Sequence, residues 1–159
     1  MFEHFVRNVT QWSTDRGIYE HSTAQAQALK AVSEVGELAD AAIKNNLIEL
    51  ADAVGDVAVC LVNVSQMTDT PFRAVGALPA TAGLHSEAAV AAYAVSYLAC
   101  SVAYKAQLEG DLHWSLMRLH MVCAAAGLDF DMCCAAAWDA IKDRKGHMVA
   151  GGAFVKEDV

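Results

Sequence analysis

Two long stretches of the chain, residues 24–44 and 47–67, are mostly apolar and contain no strand-like alternation of polar and apolar residues. Asn45 and Asn46 form a short polar break between them. Asparagine is one of the few residues that readily adopts the left-handed conformation at a helix end. The pattern therefore predicts two antiparallel helices joined by a tight turn.

Both predicted helices begin with a capping signal. Ser22 with Gln25, and Asn46 with Glu49, have the spacing of capping boxes, in which two residues three apart satisfy the first free N–H groups of a helix. The second box gives Glu49 two possible roles of about equal weight. It is either a capping residue or a metal ligand.

Four carboxylates interrupt the apolar pattern of this hairpin. Glu34 and Glu37 lie three residues apart and Asp52 and Asp56 lie four apart, so each pair lies on one helix face. Glu34 and Asp56 are similarly distant from the turn, roughly 16 Å along each helix. We therefore expect the four carboxylates to converge across one helix interface.

The alternative to a converging site is an exposed acidic stripe on an amphipathic helix. Apolar residues surround Asp56 on every side, which predicts that it is at least partly buried. Buried carboxylates are costly without a counter-charge, and Lys30 and Lys44 are the only basic residues between Arg16 and Arg73. Oxygen-only ligands suit Mg²⁺, with Mn²⁺ as a second possibility, and Mg²⁺ commonly meets substrate phosphates. A di-iron bundle is excluded because its Glu-x-x-His pairs do not occur in this sequence.

The remaining composition predicts one all-α domain over residues 1–159, with a loop marked by Pro71 and Pro79. The uncharged segment 88–104 approaches membrane-spanning length but is rich in alanine and contains serine and tyrosine, so we expect a buried or interface helix.

A net charge of −8 opposes binding to nucleic acid. The absence of a secretion signal, together with five cysteines, predicts a cytoplasmic protein with reduced thiols.

Other residues are candidates for substrate contact, each with a structural alternative. Trp12 could stack on a base or anchor the packing, and Asn63 could bind a sugar or base or form an interhelical hydrogen bond. Lys30 could contact a phosphate or pair with the glutamate that follows it by one turn. A basic cluster near the C-terminus could bind phosphates or stabilise a helix end; it comprises Lys142, Arg144, Lys145 and Lys156.

Several ordered motifs resemble the all-alpha nucleoside triphosphate pyrophosphohydrolases of the MazG type, and in particular their phage and prophage branch. Residues 33–38 are similar to the family's Glu-Glu-x-Gly-Glu-Leu, and Gly55-Asp56 with Asn63 seven residues on is similar to its second motif. Further matches are Trp12 with Arg16-Gly17, Gln27 with Lys30, and the C-terminal stretches 137–146 and 152–158. The resemblance covers roughly residues 9–64 and 128–158.

Three features depart from the family pattern. Ala53 replaces the first acid of the usual Glu-x-x-Asp, so that role passes to Asp52 or Glu49, and Ser33 replaces the first glutamate of the doubled pair. Residues 68 to about 112 form a predicted helical insertion relative to compact phage members. The insertion could cap the site or replace a subunit contact.

The resemblance implies a helical bundle that hydrolyses nucleoside triphosphates to monophosphate and pyrophosphate. Glu34, Glu37, Asp52 and Asp56 would bind Mg²⁺, and Glu34 or Glu37 would activate the water. Family members act as homodimers or homotetramers, with segment 88–106 as the interface candidate here. The alternatives are a non-catalytic nucleotide- or partner-binding protein, and an enzyme restricted to dCTP or dUTP or to phosphoribosyl-ATP.

Overall fold

The computed structural model describes residues 1–157, so Asp158 of the last motif lies outside the described part of the chain. The regular secondary structure of the described residues is almost all helix, which confirms the all-α prediction. The helices are α1 (Phe2–Asp15), α2 (Ile18–His21), α3 (Ala24–Lys44), α4 (Leu47–Met67), α5 (Leu84–Tyr104), α6 (Leu108–Ala126) and α7 (Phe130–Ile141). A two-stranded sheet follows, with β1 (Gly146–Met148) and β2 (Phe154–Lys156).

The predicted hairpin is present with the predicted bounds, as α3 and α4. Asn45 has a φ of 52°, and the side-chain oxygen of Asn46 accepts hydrogen bonds from the N–H groups of Ile48 and Glu49. The reciprocal half of this capping box is not made, because the Asn46 N–H donates to the carbonyl of Ala41 instead. The Glu49 carboxylate is therefore left exposed to solvent.

The predicted capping box at Ser22 is wrong. Thr23 caps α3, and its hydroxyl accepts from the Ala26 N–H at 3.1 Å. Ser22 instead donates its hydroxyl to the carbonyl of Gly152, 130 residues away in sequence. The difference arises because a long-range partner competes for the side chain, which local spacing cannot reveal.

A second hairpin, α5 and α6, packs against the first through contact between α5 and α3. The irregular segment 68–83 precedes it and contains both prolines, as predicted. The insertion boundary near residue 112 falls inside α6, so the structural unit continues to Ala126. Among the described helices, α5 is long and apolar enough to cross a membrane, although half of its most apolar stretch is buried within the protein.

Helices α1 and α7 cover the other side of α4. The contact between α4 and α7 is close at Gly55, where an added Cβ would lie 2.5 Å from Ala137 Cβ and 2.7 Å from the Cys133 carbonyl oxygen. Only glycine allows the two helices to approach to this distance. Gly55 thereby fixes the position of its neighbour Asp56 relative to α7.

The C-terminal sheet was missed by the sequence analysis. Its strands are antiparallel, with Gly146 opposite Lys156 and Met148 opposite Phe154. A Cβ at Gly146 would lie 2.3 Å from the Val155 carbonyl oxygen, so this pairing requires glycine. Three-residue strands carry too short an alternation to be recognised from sequence. The basic residues of the C-terminal motif therefore lie on and before a small β-hairpin.

Candidate functional site: a carboxylate groove on the first hairpin

The groove between α3 and α4 carries the four predicted carboxylates at two depths. Glu34 is only 5% exposed and Asp56 is half-buried, whereas Glu37 and Asp52 face solvent. The exposed pair lines a concavity of about 230 Å³ together with Glu49 and with the ion pair of Asp40 and Lys44. The arrangement follows from helix geometry, because the members of each pair lie on one face of their helix.

The electrostatic environment links Asp56 to both helices and to the C-terminus. Burial is the largest cause of a raised pKa at Asp56, and together with the charges of Glu34 and Asp52 it brings that pKa to about 6. Arg144 and Lys30 act in the opposite direction and lower the pKa. Three carboxylates and two cations therefore lie close enough to influence one another.

Lys30 pairs with Glu34 one turn later on α3. Partial burial lowers the pKa of Lys30, but the bond to Glu34 outweighs that effect and leaves the pKa above its ordinary value. The lysine side chain is 57% exposed, so the pair joins a buried carboxylate to a partly exposed surface cation. Lys30 thus occupies an oxygen that a metal ion would use.

The groove side chains fit a divalent cation in donor type but not in their present arrangement. The donor type fits, because crowded carboxylates without a full counter-charge are what Mg²⁺ binds. The assembly is incomplete, since residues 1–157 contain no group of three or more histidine, cysteine, aspartate or glutamate side chains placed to hold a metal ion. Metal binding at this groove would therefore require the carboxylates to rotate toward one another and Lys30 to release Glu34.

Arg16 holds the C-terminal segment next to the groove. Its guanidinium donates to the carbonyl of Arg144 at 2.8 and 2.9 Å and to that of Lys142 at 3.2 Å. These bonds leave the side chain of Arg144 able to act on Asp56. The Lys142 ammonium instead pairs with Asp139 at 2.7 Å. Arg144 is thus the member of the basic cluster that the structure brings to the carboxylates.

The other two cations of the cluster lie on the exposed surface. Lys145 precedes β1, and its carbonyl accepts a hydrogen bond from the Glu157 N–H. Lys156 lies in β2 opposite Gly146. Both side chains face solvent, where they are available to an anionic ligand.

Trp12 is buried between α1 and the C-terminal hairpin. Its ring meets the edge of Phe154 at 5.6 Å, and the Arg16 guanidinium lies over it at 4.6 Å. The indole Nε1 is buried without a hydrogen-bond partner among residues 1–157. In this arrangement Trp12 is a packing anchor, and the predicted base stacking would require Phe154 or Arg16 to move.

Asn63 is the centre of a buried hydrogen-bond network. Its side-chain oxygen accepts from the hydroxyls of Ser13 at 2.7 Å and Tyr19 at 3.0 Å, and its amide donates to Gln27. Gln27 in turn donates to Ser22. These bonds tie α1, α2, α3 and α4 together, so the interhelical role of Asn63 is the one realised. A substrate contact would have to displace one of its partners.

Sequence reasoning missed the residues that organise the C-terminal segment around the groove. Gly152 accepts the Ser22 hydroxyl through its carbonyl, and a Cβ at this glycine would lie 3.0 Å from Ser22. Tyr19 had no role in the sequence analysis, yet its hydroxyl reaches Asn63. The Gly151-Gly152 pair was a possible signal, because paired glycines favour positive φ and close approach.

Part of the chain is similar to a curated phage protein. No family model and no solved structure matches the chain. Among curated proteins, the chain is 37% identical over 60 residues to an uncharacterized 18.2 kDa protein in the rep-hol intergenic region of Haemophilus phage HP1. The match spans 38% of this chain and 37% of the phage protein. The similarity thus links part of the chain to a phage protein and leaves its activity open.

Proposed function

We propose that this protein hydrolyses nucleoside triphosphates to nucleoside monophosphate and pyrophosphate in a metal-dependent reaction. The observation that supports the proposal is the grouping of Glu34, Asp52 and Asp56 with Arg144 at one groove. Carboxylates that lack a full counter-charge favour a divalent cation, and an adjacent guanidinium favours phosphate. The MazG-type resemblance supports the same reaction.

Residues at different positions in the groove would bind the metal, accept a proton and contact the phosphates. When bound, Mg²⁺ would neutralise phosphate charge and lower the pKa of a water molecule, with Glu34, Glu37, Asp52 and Asp56 as ligands. A glutamate of α3 that is free of the metal would accept the proton from that water. Arg144 would face the phosphates, and Lys30, released from Glu34, would join it.

The test is pyrophosphate release from a panel of ribo- and deoxynucleoside triphosphates, including dCTP and dUTP, and from phosphoribosyl-ATP. Each substrate is measured with Mg²⁺ and with Mn²⁺, for the wild type and for Glu37→Gln and Asp56→Asn. We expect release by the wild type and loss in both variants. Wild-type protein that binds Mn²⁺ but releases no pyrophosphate from any substrate would refute the catalytic proposal.

A non-catalytic nucleotide- or partner-binding protein is the second candidate. The ion pair between Lys30 and Glu34 favours it, because the buried glutamate already has a cation and the groove carries no assembled metal group within the described residues. Lys30→Met separates the proposed enzyme from a binding protein whose groove takes no metal ion. In an enzyme this substitution would free Glu34 for the metal and tighten Mn²⁺ binding, whereas in a protein whose groove takes no metal it would not create binding.

A further inference from the structure

The second hairpin repeats the burial pattern of the first. Helices α3 and α5 are both 21 residues long, and each of the eight buried residues of α3 has a buried counterpart 60 positions later in α5. Several pairs are identical residues. The identical buried pairs are Ala28 and Ala88, Ala31 and Ala91, Val35 and Val95, and Leu38 and Leu98.

The turns that end these two helices have the same hydrogen bonds at the same offset. Asn45 and Lys105 both have positive φ, 52° and 54°. The next residue in each turn donates its N–H over 3.0 Å, from Asn46 to Ala41 and from Ala106 to Ser101. The same backbone bond also ends α4, from Thr70 to Ser65, and α6, from Leu128 to Cys123, so the repeat is indicated by the position of the bond 60 residues on and not by the motif itself.

The second helices of the hairpins match after one insertion. The first turn has two residues, 45–46, and the second has three, 105–107. The sequence distance between counterparts therefore increases from 60 to 61 after the turn. Seven of the eight buried residues of α6 then fall on buried positions of α4, with Leu112 as the exception.

The two hairpins also contact each other reciprocally. The Gln25 side chain at the start of α3 donates to the carbonyl of Ala99 in α5, at 3.5 Å. His85, the counterpart of Gln25, lies 3.2 Å from the carbonyl of Ala42 in α3. The start of each helix thus contacts the end of the other, so α3 and α5 are antiparallel. The counterpart of Ala99 is Ala39, one turn before Ala42, so the twofold relation between the hairpins is approximate.

We propose that α5 and α6 are a degenerate second copy of the α3–α4 hairpin that has lost its ligand-binding groove. The counterparts of Glu34, Glu37, Asp52 and Asp56 are Ala94, Tyr97, His113 and Met117. Each counterpart matches its partner in exposure: the first is buried, the second and third are exposed, and the fourth is half-buried. One chain thus contains two hairpins but one carboxylate groove.

Aromatic residues cover the corresponding surface of the second hairpin. Tyr97 lies 6.4 Å from the Trp114 ring, and Tyr93 lies 5.6 Å from the same ring, both edge-on. Tyr97 is the counterpart of Glu37, Trp114 that of Ala53, and Tyr93 that of Ser33. Packing between aromatic rings has replaced the charged groups at this position.

The equivalence is tested first without metal. The variant Glu34→Ala/Glu37→Tyr/Asp52→His/Asp56→Met places the second hairpin's residues in the first. We expect it to keep the wild-type helix content by circular dichroism and to melt at or above the wild-type temperature. The control moves the same side chains by one position, as Val35→Ala/Leu38→Tyr/Ala53→His/Val57→Met, and should lose the folded state. A collapse of the first variant similar to that of the control would overturn the proposal.

The second test restores the carboxylates with Ala94→Glu/Tyr97→Glu/His113→Asp/Met117→Asp, and this part rests on the proposed function. Mn²⁺ titration followed by electron paramagnetic resonance should give twice the wild-type number of bound ions. A folded variant that binds only the wild-type number would overturn the equivalence of the grooves. If the wild type binds no Mn²⁺, the proposed function fails, and the melting experiment decides the repeat independently.

Discussion

Two buried carboxylates of this protein have opposite surroundings. Glu87 at the start of α5 is 1% exposed, and its Oε1 accepts from the N–H and hydroxyl of Thr81 and from the N–H of Ala82, at 2.8 to 3.0 Å. Its Oε2 lies 3.7 Å from the guanidinium of Arg118. Glu34 is buried to nearly the same extent, but its one oppositely charged partner among residues 1–157 is the surface ammonium of Lys30.

The difference shows what a structural carboxylate looks like in this fold. Burial raises the pKa of Glu87, but the three hydrogen bonds and Arg118 outweigh burial and leave the pKa below its ordinary value. At Asp56 burial and neighbouring carboxylates act together and raise the pKa. A carboxylate that stabilises the fold is satisfied by the chain, whereas the charges of the groove carboxylates repel one another, a repulsion that the proposed cation would relieve.

The largest difference between groove and structural carboxylates is expected in the rate of pyrophosphate release. Asp56→Asn should reduce pyrophosphate release by about 100-fold or more, because an amide is a much poorer ligand for Mg²⁺ than a carboxylate. Glu87→Gln should keep activity within about threefold at a temperature well below its unfolding midpoint, because Glu87 lies outside the groove. The measurement is kcat/KM for both variants. Equal losses in the two would remove the distinction between groove and structural carboxylates.

The free energy of unfolding should depend more on the structural carboxylate Glu87 than on the groove carboxylate Glu34. Glu87→Ala should lower the free energy of unfolding by about 2–4 kcal/mol, since it leaves the buried part of Arg118 without its anion and removes three hydrogen bonds. Glu34→Ala should change it by less than about 1 kcal/mol in metal-free buffer, because the only ion pair lost involves an exposed lysine. Urea unfolding followed by circular dichroism measures both.

Arg118→Met provides the control for the stability comparison. This substitution removes the cation facing Glu87 but retains the long apolar stem. Combined with Glu87→Ala it should cost less than the sum of the single changes, because the two residues interact directly. Additive losses would mean that Glu87 acts through the loop alone.

The sequence was most informative where the contacts are local. The bounds of α3 and α4 were predicted correctly, because apolar periodicity and the two asparagines act within one turn. The contact between Ser22 and Gly152 was not foreseen, since the two residues lie 130 positions apart in sequence. The C-terminal sheet was missed for another reason, because its three-residue strands carry too short an alternation of polar and apolar residues. The internal repeat was also missed, because most of the counterparts differ in residue type while keeping only their burial.

The candidate site was predictable in composition but not in assembly. The spacing of the carboxylates indicated one groove, and the structure brings Glu34, Asp52 and Asp56 into one electrostatic environment. Local spacing could not show that Arg16 would position Arg144 beside them, because that contact spans 128 residues. Nor could it show that Glu87, placed in the predicted insertion without any assigned role, would be the best-satisfied buried carboxylate described above.

The smallest expected effect is the pH dependence of the Glu87 contribution. Because the folded-state pKa is below the unfolded one, the charged carboxylate stabilises the fold above the unfolded pKa, and this stabilisation is lost as the pH falls through the folded pKa. The difference in unfolding free energy between wild type and Glu87→Gln, which cannot ionise, should therefore be constant above about pH 5.5 and shrink on acidification. Urea unfolding at a series of pH values measures it. A difference that grows between pH 5.5 and 4 would mean that the hydrogen bonds from Thr81 and Ala82 do not outweigh burial, and that Glu87 resembles the groove carboxylates after all.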